Sequence, residues 1–111
     1  MARVFDSVDA DWLPVRPDVA SKVLGATLLR QGVTMQLVRV APGGGFAPHR
    51  DSYGHLFYFL AGEGTMTVAD QEYLARPGLV AEVAPGELHA YTNSGSDELR
   101  LISVNIPLPG R

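Results

Sequence analysis

The chain contains no cysteine, which excludes disulfides, thiolate metal ligands and thiol nucleophiles together. Basic residues are scarce. Nine Lys and Arg stand against twelve Asp and Glu, for a net charge of -3. That balance does not neutralise a run of phosphates, so no nucleic-acid partner is expected. Long apolar runs are missing as well. The longest, Leu56 to Ala61, is far too short to span a bilayer, and the opening MARVFDSVDADW lacks the apolar core of a secretory signal. The expectation is a soluble, cytoplasmic protein with no membrane partner. Histidine is also rare, with three in the chain: His49, His55 and His89.

Turn-forming residues are plentiful, with 12 Gly and 8 Pro in 111 residues. Pro42-Gly43-Gly44-Gly45, Gly62-Glu63-Gly64, Pro77-Gly78, Pro85-Gly86 and Asn93-Ser94-Gly95-Ser96 read as turns or loops. Between them lie runs of strand length: Val33–Val40, Leu56–Ala61, Thr65–Ala69, Glu72–Ala75, Leu79–Ala84, Leu88–Asn93 and Leu99–Ile106. No segment sustains a helical period over three turns. Asp18–Leu24 suits a helical turn, and Ser21–Leu29 suits another strand equally well. Several short strands at regular spacing predict an all-β sandwich or barrel. One domain is expected over residues 1–111, with an N-terminal strand or loop extension over 1–30 and a loose tail at 107–111.

The three histidines carry the chemical signal, because neutral imidazole is the commonest protein ligand for transition metals. His49 and His55 lie in a loop-to-strand passage with Asp51 between them, and His89 follows the Pro85-Gly86 turn. Hairpins that bring these strands together converge the rings inside one barrel.

Here the sequence resembles the cupin superfamily of small β-barrels. Gly43, His49, Asp51, His55 and Gly62 fall at the intervals of its first motif. Gly78, Ala84, Gly86, His89 and Asn93 fall at those of its second. The resemblance implies a single antiparallel jelly-roll barrel, with its motif region over 43–93. It also implies that His49, His55 and His89 are metal ligands. The chain departs from the pattern at Asp51, where the family usually has a histidine, at His55, where it usually has a glutamate, and at Ala84, where it has a proline that Pro85 supplies one residue later. The implied ligand set is therefore His49, Asp51, His55 and His89. For Asp51 three roles are open: a ligand, a partner orienting a ring N–H, or a loop acid paired with Arg50.

Three imidazoles and at most one carboxylate suit one divalent transition metal ion: Fe, Mn, Ni, Cu or Zn. Calcium and magnesium want more oxygens. Three or four protein ligands leave positions open for a substrate or O2. The expected function is a mononuclear metal-dependent enzyme acting on a small organic molecule. A dioxygenase leads, because the resemblance extends to three-histidine cupin dioxygenases. A metal-dependent isomerase or lyase is one alternative, and a non-catalytic module binding a sugar or acid is the other.

Alternation adds candidates around the metal. Phe57 and Phe59 share the face of His55, either as core or as walls of a substrate cavity. Tyr91 shares the face of His89, where its hydroxyl would either orient or protonate a substrate or serve the core. Arg39 shares a face with Met35 and Leu37; turned inward it would anchor a substrate carboxylate or phosphate. The doubly apolar run Leu56–Leu60 and the strand Leu101–Ile106 exceed what one small barrel covers, so a homodimer is expected.

Overall fold

The computed structural model describes residues 2–108. Runs rich in β-branched and aromatic residues favour extended backbone, and the Gly and Pro between them end each run before a helix can nucleate. A 3-10 turn at Ser7–Asp9 precedes nine strands: β1 (Leu13–Pro14), β2 (Ala20–Gln31), β3 (Val33–His49), β4 (Gly54–Ala61), β5 (Gly64–Val68), β6 (Gln71–Ala75), β7 (Val80–Val83), β8 (His89–Thr92) and β9 (Leu99–Ile106). Over Asp18–Leu24, a turn at Asp18 and Val19 leads into the strand β2 from Ala20. No helix among the described residues is long and apolar enough to cross a membrane.

β3 is the spine of the molecule. Thr34–Val40 pairs with β9, and Gly45–His49 pairs with β8, both antiparallel. One layer therefore runs β1-β2-β3-β9-β4-β7 and the other β3-β8-β5-β6. The strand passes between layers at Gly43–Gly45. At Gly45 φ is 151°, and a Cβ there would collide with the backbone oxygen of Tyr91. Only glycine allows β3 to approach β8 so closely. The curled antiparallel sheet that results is the all-β, single jelly-roll barrel fold that the sequence predicts.

Rows across the sheet show where the core ends and the site begins. Val38, Leu101 and Phe59 form one inward row, and all are buried. Burying a side chain such as Phe59 contributes roughly 1.5–3 kcal/mol. Two residues along β3 the row reads Gln36, Ser103 and Phe57; two further on it reads Thr34, Asn105 and His55. The interior thus turns from apolar to polar toward one end of the barrel.

The run Leu56–Leu60 is covered on one face only. Phe57 and Phe59 are buried, while Tyr58 and Leu60 are 41% and 39% exposed. Pro107 and Leu108 follow β9 without regular structure, and the rest of the expected tail, 109–111, lies outside the described residues.

Candidate metal centre

The polar end of the barrel gathers His49, Asp51, His55 and His89. His49 closes β3 and His89 opens β8, and the two are register partners. Their rings lie 4.4 Å apart. His55 comes from the opposite layer on β4, its ring 4.8 Å from that of His89. Asp51 sits on the short loop joining β3 to β4. Its Oδ2 lies 2.8 Å from His55 Nε2, 3.2 Å from His49 Nε2 and 3.7 Å from His89 Nε2. His49, Asp51 and His89 place one ligand atom each within 4.8 Å of one another. His55 stands outside that tightest set and joins it through Asp51.

The outer nitrogens show how each ring is held. His49 Nδ1 donates to the Ala47 carbonyl at 2.7 Å, His89 Nδ1 to the Glu87 carbonyl at 2.9 Å, and His55 Nδ1 to Asn105 Oδ1 at 3.1 Å. With the proton held on Nδ1, the rings of His49 and His89 turn the lone pair of Nε2 inward, while His55 Nε2 hydrogen-bonds Asp51 Oδ2 at 2.8 Å. Two imidazole lone pairs and a carboxylate oxygen then face one another, with His55 Nε2 beside the same oxygen. Acceptors facing acceptors repel unless a proton or a cation lies among them. The four side chains are only 9%, 6%, 7% and 2% exposed in chain order, so water screens them little.

This donor set fits a divalent ion. Ligands held about 2.0–2.2 Å from one ion stand roughly 3–3.5 Å from their neighbours, and the separations around Asp51 Oδ2 bracket that span. Protonation states agree. Burial pushes the Asp51 carboxyl up, but the Arg16 and His55 hydrogen bonds outweigh it and hold it below the usual carboxylate range. Burial pushes His89 below the ordinary histidine range, with the neighbouring rings adding to the effect. An ionised Asp51 and a neutral His89 are the metal-binding forms.

A cavity of about 850 Å³ opens over these residues, walled by Phe46, Phe57, Tyr91 and the polar Gln36, Ser103 and Asn105. Burial pushes the Tyr91 hydroxyl far above the usual phenol range, so it stays protonated and offers a hydrogen-bond donor. Phe59 lies one row deeper, packed in the core, and does not reach the cavity wall. Arg39 is also corrected. Val38 and Val40 take the inward positions, and Arg39 projects from the outer face, paired with Glu98 at 3.0 Å and lying over the Trp12 ring. Met35 and Leu37 share that outer face with Arg39, and Thr34, Gln36, Val38 and Val40 face in, so Arg39 anchors no substrate in the cavity.

Arg50 does not pair with Asp51; its Nε donates to the Gly86 carbonyl. The partner of Asp51 is Arg16, whose guanidinium donates to Oδ1 at 3.0 Å. Neither Arg16 nor Asn105 is visible in the motif spacing. They act on their partners across 35 and 50 residues of sequence. The N-terminal segment also walls the cavity with Leu13 and Val15.

Comparison with known proteins agrees with the architecture. The cupin-domain family model matches residues 36–105. No curated protein matches the chain by sequence. Among solved structures, the polyketide cyclase RemF from Streptomyces resistomycificus superposes with a TM-score of 0.85 at 20% identity, over 95% of this chain and 79% of that one. A predicted oxalate decarboxylase from Thermotoga maritima superposes with a TM-score of 0.84 at 22% identity, over 96% and 100%. KdgF from Halomonas sp. gives 0.82 at 16% identity, over 96% and 95%. At such identities these likenesses speak to the fold. Taken with the match over 36–105, they show that this chain belongs to the cupin-domain family.

Proposed function

We propose that the protein is a mononuclear metal-dependent enzyme acting on a small organic molecule, with an oxygenase as its leading reaction. The observation that carries this reading is the convergence of His49 Nε2, His89 Nε2 and Asp51 Oδ2 at the floor of the cavity, with His55 Nε2 2.8 Å from the same oxygen. His49, Asp51, His55 and His89 would hold the ion. A bound iron would supply redox chemistry with O2, and a bound zinc or nickel would supply Lewis acidity.

The chain's own residues do the remaining work. Phe46 and Phe57 present aromatic faces to a substrate and exclude water from around the ligands. Tyr91, held protonated by burial, donates a hydrogen bond to a substrate oxygen. Gln36, Ser103 and Asn105 offer neutral donors and acceptors from one sheet, which suits hydroxyl and carbonyl groups. A lyase or isomerase is the second reading. It is supported by the polyketide cyclase and predicted oxalate decarboxylase among the structural neighbours. Protein purified without tag or chelator, analysed for metal and then treated with nitric oxide under anaerobic conditions, separates the two. Iron giving a nitrosyl electron-spin signal supports the oxygenase. Zinc or nickel in the site, with no iron taken up, supports the second reading. A site that takes up no transition metal leaves a ligand-binding module.

The working form is proposed to be a homodimer. Leu37, Ile102, Tyr58 and Val80 pair in succession across four strands on the outer face. Tyr58 and Val80 are exposed, and a continuous apolar row of this kind suits a second copy of the same surface.

A further inference from the structure

Through its guanidinium Arg16 makes three charge-assisted hydrogen bonds and a longer one, at 3.5 Å, to the Tyr53 hydroxyl. Its Nε and one terminal nitrogen grip both oxygens of Asp18, at 3.0 and 2.9 Å, and the other terminal nitrogen donates to Asp51 Oδ1 at 3.0 Å. Its backbone is left-handed, at φ 42°, a conformation uncommon for a residue with a side chain. The Arg16 carbonyl accepts from the amides of Val19 and Ala20, closing a tight turn. Asp51, gripped on one oxygen, is 6% exposed and turns only Oδ2 toward the three histidines.

We propose that Arg16 sets the metal selectivity of the site. By occupying Asp51 Oδ1, it restricts that carboxylate to one donor oxygen. The inference rests on the metal-binding reading above. A chelating carboxylate adds an oxygen donor and a coordination position, which favours manganese; a single oxygen beside three imidazoles favours zinc, copper, nickel and iron. Arg16 acts on the ion's position through Asp51, so for metal binding it is a positioning residue. Asp18 grips the guanidinium on its far edge and fixes its plane, which a lone surface arginine would not have.

The experiment compares dissociation constants for Mn2+ and Zn2+, each measured by competition with a chromophoric chelator. The proteins are the full chain, Arg16→Gln, Arg16→Lys, Asp51→His and the Arg16→Gln/Asp51→His double variant. The readout is the ratio of the manganese constant to the zinc constant. A loss of fold or a change in local charge acts on both divalent ions alike and leaves that ratio in place. Arg16→Gln is expected to lower the ratio by about tenfold, in the range of other residues that act through a ligand. Arg16→Lys keeps one donor for Oδ1 and is expected to stay nearer the parent. In the Asp51→His background, Arg16→Gln is expected to leave the ratio unchanged. A full chain that binds both ions, with a ratio indifferent to Arg16→Gln, overturns the inference alone. A ratio that moves equally in the Asp51→His background also overturns it. A full chain that binds neither ion overturns the metal-binding reading, and this inference with it.

Discussion

Asp51 and His55 stand four residues apart in sequence and meet at 2.8 Å, Oδ2 to Nε2, while the outer nitrogen of the same ring is held by Asn105 from β9. The ring is thus fixed at both ends, with its inner nitrogen beside a carboxylate oxygen. That arrangement has consequences for ion binding, for its outer partner and for pH.

Each of His49→Ala, His55→Ala and His89→Ala removes one inward Nε2. Zinc affinity is expected to fall by more than the roughly 100-fold upper range seen when an outer partner is lost. The apo proteins should melt within a few degrees of the parent for His49→Ala, which loses the least packing. Chelator competition paired with thermal melting checks both. Parent-like affinity in all three variants would remove the histidines from the site.

Asn105→Leu deletes the acceptor for His55 Nδ1 and leaves the ring free to turn. Zinc affinity is expected to drop about 10–100-fold, as for other outer partners of ligand histidines. An Asn105→Asp variant restores an acceptor and should recover most of the loss. Equal affinities in all three proteins would show that Asn105 does not orient the ring.

Lower pH weakens the site in two ways. Protons compete with the ion for the ring nitrogens, so affinity falls as pH drops. Stability follows a separate route through His89. Burial holds its folded-state pKa below the ordinary histidine value, so the unfolded chain binds the proton more readily. The contribution of His89 to apo stability is complete above the ordinary histidine range and is lost as pH falls through it toward the lower folded-state value. Denaturant titrations of metal-free protein between neutral and mildly acidic pH are expected to show that decline. His89→Phe is expected to flatten it.

Arg39 serves the outer face. Arg39→Ala is expected to cost about 1 kcal/mol or less, because both partners in the pair with Glu98 are partly exposed and screened. Zinc affinity should not change. The Arg39 hydrogen bond holds Glu98 below the usual carboxylate range against a smaller effect of burial, with Arg100 adding to the lowering. The contribution of Glu98 is therefore present at neutral pH and lost as pH falls through its lowered value. A zinc constant shifted more than about tenfold in Arg39→Ala would return Arg39 to the site.

The outer apolar row predicts association. Tyr58→Lys places a charge in the middle of that row and is expected to convert a dimer to a monomer in sedimentation equilibrium, with the barrel's circular dichroism unchanged. A parent chain that sediments as a monomer at high micromolar concentration would remove the second copy from the account.

Strands bounded by Gly and Pro are readable in sequence because turn chemistry is local. So are the histidines, because the spacing His49, His55 and His89 matches the motif at which two hairpins converge. The orientation of β3 is not readable the same way. Hydrophobic patterning assumes an apolar interior, whereas at this end the interior is a polar cavity. Thr34 and Gln36 therefore face in, while Met35, Leu37 and Arg39 face out. Arg16 and Asn105 escape notice for another reason. Their contacts close loops of many residues, and nothing near either one in sequence marks its partner.

The most direct test of the account is anomalous diffraction from crystals of the chain loaded with one equivalent of zinc. The account predicts one peak roughly 2.0–2.2 Å from the Nε2 atoms of His49, His55 and His89 and from Asp51 Oδ2, with Asp51 Oδ1 still held by Arg16. A crystal with no peak among these residues, its zinc bound only at the surface, would contradict it.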